Sequence, residues 1–108
     1  MADPVEIPVS LDTPLYSERV TLDGRDFLLF FDWNGREDRW YLSVYTVENL
    51  PIVKGIKIVA NWPLTRKFAD SRLFPGNLIA VDYSDQGGET PGFQDLGRRV
   101  RLVYYPES

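Results

Sequence analysis

VTLDGRDFLLFFDWNGREDRWYLSVYT, residues Val20 to Thr46, decides the fold of this chain. Two apolar, aromatic-rich runs, Arg25 to Trp33 and Arg39 to Val47, meet at the polar segment Asn34 to Asp38, and a third run enters through Asp23-Gly24. Successive side chains of a strand point to opposite faces, so Phe27, Leu29 and Phe31 share one face and Leu28, Phe30 and Asp32 the other. An Asp-Gly pair suits a type I′ turn, whose two central residues both take positive φ. Asn34-Gly35 repeats that signal. The stretch therefore predicts an antiparallel β-meander. Because the run from Arg25 is apolar on both faces, it is expected to be a central strand with cover on each side, between packed layers or in a barrel wall.

Working outward, Tyr16 to Leu22 alternates with Tyr16, Glu18, Val20 and Leu22 on one face. Before it, Val5, Ile7, Val9 and Leu11 alternate with Glu6, Pro8 and Ser10, and Pro8 cannot donate to a ladder. Residues 1–14 are thus expected to be either an edge strand or an arm lying on another subunit. On the other side, Ile52 to Val59 reads as a strand that Gly55 bends or bulges. Asn61 is placed to cap one short helical turn through Thr65, with irregular loop as the alternative. Pro75-Gly76 signals a type II turn. Asn77 to Tyr83 and Val100 to Tyr105 complete the strands, separated by a long, glycine-rich acidic surface loop from Ser84 to Arg98. About seven short strands with frequent turn signals indicate an all-β protein. The expected architecture is a small closed or partly open β-barrel, one domain over residues 1–108.

Composition narrows the chemistry. The 108 residues are 44% hydrophobic and 14% aromatic, enough to bury a core in one domain. There is no cysteine, so disulfides and thiolate metal sites are excluded, and no histidine, the usual proton shuttle near neutral pH. Net charge is −4, opposite in sign to what phosphate neutralisation needs, so nucleic acid is not an expected partner. No run approaches the roughly 18 apolar residues of a membrane span, and the first residues lack the basic and apolar regions of a secretory leader.

Candidate sites are few. Glu37-Asp38 and Asp82 with Asp85 are the paired carboxylates. They lie in or beside polar loops, where solvated acids are ordinary, so no catalytic residue is assigned. Asp82, Asp85 and Glu89 offer oxygen ligands at a spacing unlike the helix-loop-helix calcium motif, and no metal or cofactor is assigned. Trp33, Trp40, Tyr41, Tyr45, Trp62, Phe68 and Phe74 have the alternation of a barrel interior, with a stacking platform for sugars or bases as the functional alternative. Trp62 and Phe68 stand out as interface anchors because Arg66, Lys67 and Arg72 surround them. Lys54, Lys57, Arg66, Lys67 and Arg72 give the middle a basic bias and Asp82, Asp85, Glu89 and Asp95 make the later loop acidic, a pattern that fits solvated surface or head-to-tail complementarity. Arg98, Arg99 and Arg101 form a second basic cluster.

The ordered set Leu22-Asp23-Gly24-Arg25-Asp26-Phe27, Phe31-Asp32-Trp33-Asn34, Arg39-Trp40-Tyr41-Leu42, Gly55-Ile56-Lys57-Ile58-Val59, Trp62-Pro63-Leu64, Leu73-Phe74-Pro75-Gly76-Asn77-Leu78 and Asp95-Leu96-Gly97-Arg98-Arg99-Val100-Arg101-Leu102-Val103-Tyr104 resembles the cyanophage-type baseplate plug family of tailed bacteriophages, contractile-tailed ones included. The resemblance runs from about Val5 to Tyr105. It implies a noncatalytic virion component near the distal end of the tail, assembled in the host cytoplasm and joining hub, tail tube and neighbouring baseplate subunits, in several copies around a ring. It carries over no active site. The contact surfaces expected from exposure signals are the Trp62 to Arg72 and Gln86 to Arg98 loops, with Trp62, Arg66, Lys67, Phe68, Arg72, Phe93, Arg98 and Arg99 as interface residues. A carbohydrate- or receptor-binding β-barrel is the competing reading.

Overall fold

The computed structural model describes residues 4–11, 13–66, 68, 72–83 and 90–106. Among them lie seven strands: β1 (Val5–Glu6), β2 (Leu15–Leu22), β3 (Arg25–Asn34), β4 (Arg39–Thr46), β5 (Pro51–Lys57), β6 (Asn77–Asp82) and β7 (Val100–Tyr105). No helical residue occurs among those described. The meander is as the sequence predicts. Leu22 pairs with Arg25 across Asp23 (φ +52°) and Gly24 (φ +79°), the type I′ pattern of two positive φ values. The second hairpin turns differently: Asn34 pairs with Arg39, Asp38 takes the positive φ, and the Asn34 side chain accepts from the Arg36 and Glu37 amides at 3.0 and 3.2 Å. That Asx arrangement replaces a two-residue Asn-Gly turn.

The expected barrel is corrected. Four strands form one antiparallel sheet, β2-β3-β4-β5, three form another, β1-β7-β6, and neither closes on itself. Pro8 and Pro14 explain the open side, since the chain leaves the ladder between them and β1 stays two residues long beside β7. Inward residues of the sheets make one core that includes Leu29, Phe31, Trp40, Leu42, Leu78, Leu102 and Tyr104. The second apolar face of β3 has no layer over it. Leu28 and Phe30 remain half-buried, and the Phe30 ring meets Tyr45 of β4 at 4.7 Å.

Gly55 does bulge β5. Leu42 pairs with Ile56 and Val44 with Val53, so Lys54 and Gly55 together oppose Ser43, whose hydroxyl accepts the Gly55 amide at 3.1 Å. Beyond β5 the two sheets are joined at a corner. Asn61 adopts φ +60°, donates its amide to Ala80 (2.7 Å) and accepts the Asp82 amide on its side chain (3.1 Å), while the Leu64 amide reaches Leu78 (2.8 Å). These backbone groups are committed to β6, which is why the expected helical turn does not form. Gly76 has no positive φ, so the type II turn is not made. Glycine is needed there for close approach, because a Cβ would lie 2.3 Å from the Tyr105 carbonyl. The Tyr104 hydroxyl accepts the Gly76 amide (2.8 Å) and donates to Asp23, tying β7 to the first hairpin.

Candidate docking surface

The outer edge of β5 and the corner segment enclose an open groove of about 370 Å³, lined by Gly55, Ile56, Lys57, Val59, Trp62, Pro63, Leu64 and Phe68. Each wall follows from local structure. The bulge opens β5 at Gly55, and the left-handed turn at Asn61 leaves Trp62 61% exposed at the rim. Leu64 is buried beneath it, and Phe68 is half-buried against the core. Lys57 lines the groove, Lys54 and Arg66 are exposed within two residues of lining positions in the chain, and none of the three has an acidic partner among the described residues. The groove thus combines an apolar floor, a projecting tryptophan and a cationic rim.

The second basic cluster is organised differently. Arg99 is half-buried between two carboxylates, donating to Asp82 at 2.7 Å and to Asp95 at 3.0 Å. Burial pushes the Asp95 carboxyl up, but the Gly92 amide and the Arg99 guanidinium outweigh it and hold the group below its ordinary value. Asp82 and Asp95, half of the expected acidic patch, therefore share one guanidinium within the chain; Asp85 and Glu89 lie outside the described residues. Arg98 is exposed and donates to the Gln94 carbonyl at 3.0 Å. With Glu6, Tyr83 and Arg101 it lines a second, shallower depression, where Tyr83 is also exposed.

Of the residues expected at an interface, the structure brings Trp62 and Phe68 together at the groove, and Arg66 is exposed in the segment between them. Arg72 is exposed beside a third depression with Arg25 and Glu48, and Lys67 lies outside the described residues. Phe93 turns inward, its ring stacked on Trp40 at 5.7 Å and meeting Trp33 at 5.5 Å. With the buried Pro91 and Leu96, it makes the described end of the 84–98 segment a packed cap on the core, where the sequence predicts a surface loop. Sequence reasoning missed Ile56 and Val59 as groove walls because they read as ordinary strand, whereas Pro63 and Leu64 fall within the Trp62 to Arg72 loop expected as a contact surface. The signal available was a bulging glycine six residues before an Asn that tolerates positive φ.

Chemistry at the remaining polar sites is sparse. The Tyr16 hydroxyl, one Glu18 oxygen and the Trp40 indole nitrogen are buried without hydrogen-bond partners. Burial pushes the Glu18 carboxyl above its usual range. A lone carboxyl of this kind has no second group placed as nucleophile or base, so it does not define a reaction. No cluster of three His, Cys, Asp or Glu side chains converges among the described residues, and no helix there is long and apolar enough to cross a membrane. The exposed aromatics Trp62 and Tyr83 line separate depressions and do not form a stacking row for a sugar chain.

The described residues form a small all-β protein of two antiparallel sheets, with exposed aromatic and basic side chains on its loops and edges. The sequence matches the family of the cyanophage baseplate Pam3 plug gp18 over residues 5–107, and the chain belongs to that family of phage baseplate plug proteins. No curated protein matches it.

Proposed function

We propose that this chain is a noncatalytic structural subunit of a phage tail baseplate that joins the hub and distal tail tube to surrounding baseplate proteins. Its family membership, which spans nearly all of the sequence, is the observation that carries this reading. Several copies stand around the tail axis, each adding modest contacts that sum through their shared attachment. The contacts are made by Trp62 and Phe68 at the groove, by Arg66 and Lys67 in the same loop of the sequence, by Arg72 at the Arg25 depression, and by Arg98 at the Tyr83 depression. Residues 1–14 contribute either as an edge strand or as an arm to a neighbour. Phe93 and Arg99 support the loop from within. Assembly takes place in the host cytoplasm and the product is a virion component.

The test is a phage in which the gene carries an early stop codon. The reading expects the protein in purified wild-type virions and tails without a completed baseplate in the mutant. Complete, infectious mutant particles would overturn it.

A further inference from the structure

We infer that the groove between β5 and the Asn61–Phe68 corner receives an extended, acidic segment of a neighbouring polypeptide that carries an apolar side chain. This deepens the docking reading above and rests on it.

Three features of one place select that occupant. The first is backbone: β5 is the outer strand of its four-stranded sheet, so an extended chain can lie along it and hydrogen-bond. Gly55 is open at this edge, with nothing within 4 Å of where a Cβ would stand. The second is the floor, where Ile56, Val59, Pro63, Leu64 and Phe68 offer an apolar pocket under the exposed Trp62. Such an aromatic-rimmed pocket suits a single buried anchor. The third is charge. Lys57 lines the groove, and Lys54 and Arg66 stand exposed within two residues of its lining positions in the chain, none with an acidic partner among the described residues, in a chain whose net charge is −4. Cations collected against the sign of the whole molecule favour an acidic partner and disfavour a basic one.

Single-stranded nucleic acid shares the negative charge, but it needs successive exposed rings on which bases stack. Trp62 is the one exposed aromatic among the residues lining this groove, and Phe68, the other ring of an aromatic residue there, is half-buried against the core. An acidic polypeptide is therefore the better fit.

The test uses the full chain labelled with ¹⁵N and three probes: a peptide of alternating glutamate and leucine, about ten residues long, its lysine-for-glutamate counterpart, and a thymidine oligonucleotide of similar length. The inference expects the acidic peptide to shift the Gly55 and Lys57 amides and the Trp62 indole, and to bind at least roughly ten-fold more tightly than the basic one. Lys54→Glu with Lys57→Glu should weaken it about ten-fold or more and make its residual binding insensitive to salt. Trp62→Ala should weaken it, with Trp62→Phe restoring part of the loss. Unfolding midpoints of the variants show that each still folds. Equal binding of both peptides, shifts confined to other residues, or tighter binding of the oligonucleotide at the same resonances would overturn the inference. Virions that need the protein, together with a groove that ignores the acidic peptide, would sink the inference and leave the baseplate reading standing. Selective peptide binding by a protein absent from virions would do the reverse.

Discussion

Arg99 and Lys57 carry the same charge in the same chain, yet the first lies half-buried between Asp82 and Asp95 while the second stands exposed beside an apolar groove. The difference separates holding the fold from reaching beyond it. Arg99 closes a long chain segment onto β6, since Asp95 belongs to the cap that carries Phe93 and Leu96, whereas Asp82 ends the strand. Lys54, Lys57 and Arg66 make no ion pair among the described residues. Charges that are already paired lend little to a partner, and unpaired ones around a dry floor keep their full potential for one.

Five tests sharpen or break that contrast. Phe93→Ala removes a ring stacked against Trp40 and Trp33 and should cost about 3 kcal/mol in urea unfolding; a change near zero would return Phe93 to the surface. Arg99→Met leaves the Asp82 side chain, only 6% exposed, without its guanidinium, and should cost about 2 kcal/mol, below a fully buried pair because Arg99 is itself part-exposed. The pH dependence follows from the same cluster. Asp95 has a folded pKa below its unfolded value, so its contribution is present above the ordinary carboxylate range and is lost as pH falls through the depressed value. Stability should therefore decline on acidification below that range, and Asp95→Asn should flatten this part of the curve. Glu18 works in the opposite sense: its raised folded pKa means that lowering pH relieves a penalty, so Glu18→Gln should stabilise the protein at neutral pH. The smallest effects belong to the groove. Lys54→Ala, Lys57→Ala and Trp62→Ala should each leave stability within about 0.5 kcal/mol, measured by the same unfolding curves, while docking is weakened.

The legible part of the fold was local. Asp23-Gly24, the alternation from Phe27 to Phe31 and the bulging Gly55 announce their geometry through residues adjacent in the chain, and β2 to β5 follow from them. The corner was not legible for the opposite reason. Asn61 reads as a helix cap until Ala80 and Asp82 arrive to take its amide and side chain, and Pro75-Gly76 reads as a turn until Tyr104 and Tyr105 crowd it. The barrel expectation rests on strand number and turn spacing, which do not specify whether two sheets close on one another. At the candidate site, Trp62, Arg66 and Phe68 were legible as aromatic and cationic neighbours in sequence, whereas Phe93 and Arg99 look the same in sequence and differ only in what the fold places opposite them.

The same contrast bears on how the protein serves a baseplate. Its two sheets share a core of large apolar side chains, so the scaffold can present the groove without ordering it on contact. The anchors sit on an outer strand and a corner pinned to β6 by backbone hydrogen bonds, which limits the entropy lost when a partner binds.

The most direct test is oxidative footprinting of Trp62 in purified virions against the isolated chain. Coverage of the groove in the assembled tail predicts that Trp62 reacts roughly ten-fold more slowly in virions, as expected for a residue in the core of a contact, while exposed Leu15 changes independently of it. Equal reactivity of Trp62 in both samples would contradict the account.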